Sequence, residues 1–340
     1  MPEIDIAPLA PEDDSAALAL EGRCVQGTSL RIRFRRPTFH ARSDLYGTTV
    51  LLRARRGGEI VGVAAGALKT VRLHGAPARA LYTYDLRVHP DHRDAGIGRR
   101  LGEAVIAGLG ADADCIYTLV NGQNTKALDL VRHGFAPRVE IPLTYVLIPV
   151  LGSEASGGGG WEFARSADIR AERLRRDPGL EMVPDYEEER MTGFVAGLAL
   201  APLGPGAAGG SLWSNERILA EQIVAVPAKY HALRLLGNLT RAFADLPHIP
   251  HPGETVRSWY LFDLYADGSE ALGQVLAAAR EFARKRERTY LYALLQDGDP
   301  LLDALRRMRM RMFTLPYRLL AKGRAVPRPD DRIYIDVRDL

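Results

Sequence analysis

Three side chains able to move a proton, Tyr82, Tyr84 and Asp85, fall close together, and a loop able to hold an anion follows shortly after them. A carboxylate works as a general base and a phenol as an acid or hydrogen-bonding guide when each lies within reach of the reacting group. The loop reads Arg93-x-x-Gly96-x-Gly98. Glycine at two such positions permits φ > 0 and leaves no Cβ between backbone and ligand. Successive amides at the start of a following helix then point outward at the positive end of its dipole, a seat suited to a pyrophosphate. His89 and His133 are further ionisable groups, but each stands beside a turn, where a structural role is the stronger expectation.

The elements that must position these groups lie within Leu81 to Leu101, LYTYDLRVHPDHRDAGIGRRL. Period-two alternation predicts a strand with Tyr82, Tyr84, Leu86 and Val88 on one face and Asp85 on the other. Pro90 ends the pairing, because it lacks a backbone donor and restricts His89 before it. A helix is predicted from about Ile97 to Leu109. The spacing is not the dinucleotide fingerprint G-x-G-x-x-G, and no Gly-Lys-Ser/Thr follows as in a P-loop. Val88-x-Pro90-x-x-Arg93-x-x-Gly96-Ile97-Gly98-x-x-Leu101 resembles the coenzyme A signature of the GNAT superfamily of N-acetyltransferases.

The resemblance implies acyl transfer from acetyl-CoA to an amine, with no metal. It implies that the backbone of Leu86, Arg87 and Val88 meets the pantetheine arm, where an amide polarises the acetyl carbonyl. Main-chain groups of Arg93, Asp94, Ala95, Gly96, Ile97, Gly98 and Arg99 would hold the pyrophosphate, and Asn121 and Asn124 would meet the coenzyme further on. Asp85 is then the first candidate for the base, against an equal expectation that it simply pairs with Arg87 or another neighbour. Tyr82 and Tyr84 would orient the acceptor or act as acid. The carboxylate of Leu340 is a further candidate, since the chain end reaches the active site in some multidomain members. The pattern Asn124-x-x-Ala127…Gly134-Phe135 resembles the second GNAT motif, with a short helix from Thr125 to His133 stopped by Gly134. That helix lacks the tyrosine with which many members protonate the thiolate. A coenzyme-binding regulatory or scaffolding protein without turnover is therefore the competing reading.

A chain of 340 residues is long for one acyltransferase module and comfortable for two domains. A net charge of +3 gives no reason to expect a nucleic-acid partner. Cys24 and Cys115 form no disulfide framework or zinc spacing, which suits a reducing cytoplasm. No signal peptide is expected, and no apolar run approaches the roughly 20 residues that span a bilayer. The expected partner is a small-molecule or peptide amine, and the sequence leaves a homo-oligomer open.

Residues 1–150 are expected to form the coenzyme-binding domain. It opens with a strand at Ile4–Ile6 and a helix capped by Asp13 or Asp14. A basic segment, RIRFRRP at 31 to 37, is expected to be a solvated face, or else to line an acceptor groove. Strands at Thr49–Arg55 and Glu59–Thr70 join at a Gly57-Gly58 hairpin. Ile141 to Val150 is expected to close the domain. Residues 151–160, LGSEASGGGG, read as a flexible tether. In residues 161–340 a helix is expected near 164 to 176 and a strand at Leu219–Val226, while Met191 to Gly210 has no clear form. The later order is strand 258–265, helix 269–285, strand 289–295, helix 300–308 and strand 312–320. It repeats 81 to 150 in outline. The cofactor loop is replaced by Ala266-Asp267-Gly268-Ser269-Glu270, whose acids would repel a pyrophosphate. The expectation is thus an α/β fold with mixed sheets, two GNAT-like acyl-CoA N-acyltransferase domains in tandem. The second would be degenerate, silent toward acetyl-CoA, and would shape the substrate pocket.

Overall fold

A computed structural model describes residues 3–27, 30–151, 161–185, 191, 195–200, 207–227, 250–308 and 310–340. In chain order these form β1 (Ile4–Pro8), α1 (Asp14–Arg23), β2 (Arg31–Arg35), β3 (Thr48–Arg56), β4 (Glu59–Leu73), β5 (Ala76–Val88), α2 (Ile97–Leu109), β6 (Cys115–Asn121), α3 (Thr125–Phe135) and β7 (Val139–Pro149). There follow β8 (Trp161–Ala164), α4 (Ser166–Arg176), β9 (Val183–Pro184), β10 (Val195–Leu200), β11 (Ala208–Trp213), β12 (Ala220–Ala225), β13 (Ser258–Ala266), α5 (Gly268–Arg284), β14 (Tyr290–Gln296), α6 (Pro300–Arg307) and β15 (Phe313–Gly323). The glycine-rich stretch 152–160 lies outside the described residues.

Most strands join one thirteen-stranded sheet of order β1-β3-β4-β5-β6-β15-β7-β14-β13-β11-β10-β8, with β9 on β4. The order reads as a palindrome of two halves. Strands β1, β3, β4, β5 and β6 of the first half answer to β8, β10, β11, β13 and β14 of the second. At the centre the halves exchange their last strands. Strand β7 does not close the first half on itself; it pairs with β14, while β15 pairs with β6 and with β7. The exchange lets two apolar strands, Ile141–Ile148 and Leu315–Ala321, bury their faces in both halves at once, so one core spans them.

Local chemistry explains the elements around the site. The β3–β4 turn takes Gly57 and Gly58 at φ 58 and 88, as a tight hairpin of this twist requires. Helix α2 lies close on β4, because a Cβ at Gly62 would stand 2.8 Å from Leu101 Cδ1. Helix α3 runs through Gly134 to Phe135 and is ended by Ala136 at φ 49, not by the glycine. Neither Asp13 nor Asp14 caps α1 with its side chain. Asp13 pairs with Arg53 and Arg55, and Asp14 accepts the Phe39 amide. The obscure stretch after Met191 contains β10 and β11, the second half's counterparts of β3 and β4. The basic segment is β2, and it pairs with β12 of the other half in a two-stranded ribbon.

Candidate active site

Strand β5 carries the first feature of the site. Val63 faces Arg87 and Ala65 faces Tyr84, so two residues of β5 oppose Ala64 alone. Asp85 sits at this bulge with φ 52, a conformation that Asp tolerates better than most side chains. The bulge reverses the alternation. Tyr82 and Tyr84 belong to the core on one face, while Leu86 and Val88 pack with Ile97 and Leu101 under α2 on the other. The expectation of one shared face therefore fails after Tyr84. Asp85 also lies on the side of the tyrosines, since Arg42, which pairs with it at 3.4 Å, stacks over the Tyr84 ring at 4.9 Å.

The sequence placed a base at Asp85, but its surroundings make it a poor one. It is 5% exposed and meets Arg36 at 2.8 Å, Arg42 at 3.4 Å and Arg87 at 3.5 Å. Burial alone would raise its pKa, yet the three guanidinium groups outweigh it and hold the carboxyl far below the usual range. Arg36, just after β2, is itself buried and shared with Glu21, while Arg31 and Arg35 of the strand stay exposed. The competing expectation, pairing with Arg87, is met and extended. Tyr82 donates to the Asp339 carbonyl at 2.6 Å, and the Tyr84 hydroxyl meets Ser43 Oγ at 2.8 Å. Burial pushes both phenols well above the ordinary tyrosine range, which makes them weak acids.

The second feature is the splay of β5 from β6. Their parallel pairing covers only Ala80–Tyr82 against Cys115–Tyr117. Where the backbones part, Thr118 Oγ1 donates to the Thr83 carbonyl at 2.9 Å. The Arg93–Gly98 loop stands at the open end. Asp94 and Gly96 take φ 68 and 73, and Gly96 precedes α2 with no side-chain cap and no acid in the first turn. The amides of Ile97, Gly98 and Arg99 thus have no partner within the helix. A Cβ added at Gly96 meets nothing within 4 Å, and one at Gly98 would press on Leu130 Cδ2 at 3.2 Å. Space above the loop, closeness below it and unpaired donors facing outward fit a diphosphate. Asn121 and Asn124 lie beyond β6. Asn124 Oδ1 caps α3 through the Ala127 amide at 3.2 Å, and Asn121 Oδ1 accepts the Gln123 amide at 2.8 Å. His89 accepts the Asp91 amide at 3.2 Å and meets Arg23 at 2.8 Å through Nε2, and His133 meets the Asp129 carbonyl at 2.8 Å.

The second half keeps the bulge and loses the loop. Ser211 faces Phe262 and Gly209 faces Tyr265, and Asp263 has φ 51, so Asp263-Leu264 repeats Asp85-Leu86. Strands β13 and β14 splay after Tyr260 and Tyr292. Helix α5 begins at Gly268, directly after β13, with Asp267 engaged by Arg176. The chain's own tail enters this second cleft. The Ile333 amide donates to Gln296 Oε1 at 2.8 Å, and Tyr334 Oη donates to Asp263 Oδ1 at 2.6 Å. A cavity of about 50 Å³ remains there, lined by Leu261, Asp263, Leu294, Leu301 and Tyr334 among others. The tail then crosses to the first half, where Asp336 and Asp339 bind Lys69 and Asp339 accepts from Tyr117 at 2.6 Å. Sequence reasoning singled out neither Lys69, Arg36 nor Arg42. The repeated Asp-Leu, preceded each time by an aromatic residue, was the available signal for the bulges.

These features define a GNAT-type acyltransferase architecture, built twice and used unequally. Residues 20–135 match the Acetyltransferase (GNAT) family, and the fold holds two GNAT-like units in tandem. No curated protein matches the sequence. Among solved structures it resembles the N-myristoyltransferase of Saccharomyces cerevisiae with bound myristoyl-CoA. That match has 11% identity and a TM-score of 0.61, over 96% of this chain and 82% of the other. It also resembles the GCN5-related glucosamine N-acetyltransferase region of a fungal multi-domain β-N-acetylglucosaminidase. There the identity is 16% and the TM-score 0.57, over 95% of this chain and 38% of the other. Both likenesses are of fold. Among the described residues no helix is long and apolar enough to cross a membrane.

Proposed function

We propose that the protein is an N-acetyltransferase that moves an acetyl group from acetyl-CoA to a primary amine by direct attack in a ternary complex. The observation that carries this reading is the uncapped start of α2 beneath a glycine loop, beside a bulged strand that splays from its neighbour. The amides of Ile97, Gly98 and Arg99 would hold the diphosphate, and the free edge of β5 around Leu86–Val88 would meet the pantetheine arm. A backbone amide freed by the bulge would stabilise charge on the thioester oxygen. Losing such a donor costs about 2.7–4 kcal/mol in other acyl-transfer sites. Asp85 fixes the bulge through its arginines and does not take the proton. The first half would carry the chemistry, and the second, its cleft filled by the tail, would shape the acceptor side. The match of residues 20–135 to an acetyltransferase family supports acetyl as the acyl group. A primary amine as acceptor is supported by the likeness to a glucosamine N-acetyltransferase region, glucosamine being an amine-bearing sugar.

Thiol release from acetyl-CoA, measured with a panel of amines, tests the reading. Amine-dependent release is expected. Coenzyme binding with no amine-dependent release would favour the non-catalytic binding protein instead.

A further inference from the structure

The two halves treat the aromatic face of the sheet differently, and the first half shows what that face can bind. Tyr82 and Tyr117 pair across the β5–β6 splay, with ring centroids 5.2 Å apart. Together with Tyr46 they surround an ammonium, Lys69 Nζ, at 5.4 to 5.7 Å from the three ring centroids. Carboxylates of Asp336 and Asp339 close the site at 2.7 Å. Cation–π attraction and desolvated ion pairing reinforce each other in such a box.

The corresponding place in the second half has the aromatic rings and the carboxylate but not the cation. Tyr260 and Tyr292 pair across the β13–β14 splay as Tyr82 and Tyr117 do, each upstream tyrosine standing the same distance before its bulged aspartate. Ala67 faces Tyr82 and Trp213 faces Tyr260. Two residues further on stand Lys69, within β4, in the first half and Asn215, neutral, 5% exposed and just past the end of β11, in the second. Tyr145 of β7 adds a ring 5.3 Å from Tyr292, and Tyr317 of β15 lies 5.4 Å from Tyr145. Glu221 enters from β12, and its Oε2 accepts from Tyr292 Oη at 3.1 Å. Among the described residues no cation contacts the Glu221 carboxylate. Arg33 of the ribbon is spent on Gln222 at 2.7 Å. Glu221 is partly exposed as a residue, while its carboxyl lies inside against the Tyr292 hydroxyl. Tyr317 faces Asn121 at the end of β6, which puts this box beside the mouth of the first cleft.

We propose that Glu221 and the rings of Tyr145, Tyr260, Tyr292 and Tyr317 form a receptor for the ammonium group of the acceptor, filling in the second half the place that Lys69 fills in the first. The ligand class is a protonated primary amine; that it is the acceptor rests on the acyltransferase reading. Burial raises the Glu221 carboxyl to about 7. Burial also keeps the facing tyrosines of β7, β13, β14 and β15 neutral, and the charge of Arg42 reaches only Tyr260 and Tyr317.

The test uses the full chain and butylammonium as probe, with 1-butanol as its neutral isostere, followed by ligand-observed saturation-transfer NMR. At pH 8 butylammonium should bind at least tenfold more tightly than 1-butanol, and Glu221→Gln should erase that preference. In the unaltered protein, binding should weaken several-fold between pH 8 and pH 6 as the carboxyl gains a proton, a readout that needs no variant. Equal binding of the two probes, or equal butylammonium affinity in Glu221→Gln, overturns the proposal. Coenzyme A titrated in parallel separates the two readings. Glu221-dependent ammonium binding without coenzyme affinity would leave this site standing and remove the acyltransferase. Coenzyme affinity without ammonium binding would do the reverse.

Discussion

Replacing Asp85 by Asn separates a structural carboxylate from a catalytic one. Asn accepts φ near 52 as readily as Asp, so the bulge itself is not strained by the change. What disappears is the single negative charge shared by Arg36 at 2.8 Å, Arg42 at 3.4 Å and Arg87 at 3.5 Å. Arg36 keeps Glu21, and Arg42 keeps the Asp339 carbonyl at 2.7 Å, so part of the desolvation cost remains offset. Removing one partner of a buried ionic network costs about 3–5 kcal/mol, and these surviving contacts put the expectation near about 3. Urea unfolding at pH 7 measures it. The folded-state pKa of Asp85 is depressed, so its stabilisation is complete above the ordinary carboxylate range and fades only as pH falls below it. The deficit of Asp85→Asn should therefore be flat from pH 8 to pH 5. A general base would behave otherwise, with stability near that of the unaltered protein and turnover reduced by about 10²–10⁴. A variant within 1 kcal/mol of the parent whose thiol release falls a hundredfold would refute the structural assignment.

Lys69→Met should cost about 3–5 kcal/mol in urea unfolding, because Asp339 would be left buried without its cation and Asp336 would keep only Arg338. Gly62→Ala should cost about 1–3 kcal/mol, since the new Cβ would stand 2.8 Å from Leu101 Cδ1 and 3.0 Å from Ile97 Cγ2; an unchanged melting temperature would contradict the close seating of α2. Glu221 and Asp263 are raised by burial to about 7 and about 6, so each favours the folded state most when protonated. Stability attributable to them is present below the ordinary carboxylate range and is lost as pH rises through those values. Glu221→Gln and Asp263→Asn should each flatten the fall in melting temperature between pH 4.5 and pH 7.5, by at most about 3 kcal/mol for Glu221.

Local chemistry made the first half legible. Gly57-Gly58 could form only a tight turn, Gly96 and Gly98 fixed where α2 starts, and Pro90 placed the end of β5 within two residues. The tandem repeat was readable from element order for the same reason. The bulge was not, because Tyr84 and Leu86 are both apolar and continue a period-two pattern whether or not the faces switch between them. Strand exchange leaves no local trace either. Ile141–Ile148 is apolar on both faces, which suits pairing with β6 or with β14 equally. At the site, the coenzyme loop could be read because glycine spacing encodes backbone conformation. The roles of Asp85, Lys69 and Glu221 depend on partners far away in the chain: Arg36 and Arg42, the tail residues Asp336 and Asp339, and Tyr292. No spacing rule reports such pairings.

Calorimetric titration of the full chain with coenzyme A, beside Gly96→Val, tests the central claim most directly. Valine at φ 73 is strained, but its Cβ meets nothing within 4 Å, so the fold should survive while the loop changes shape. One site per chain, weakened at least tenfold in the variant, is the predicted result. No measurable heat, an unaltered affinity in Gly96→Val, or two equivalent sites would contradict it.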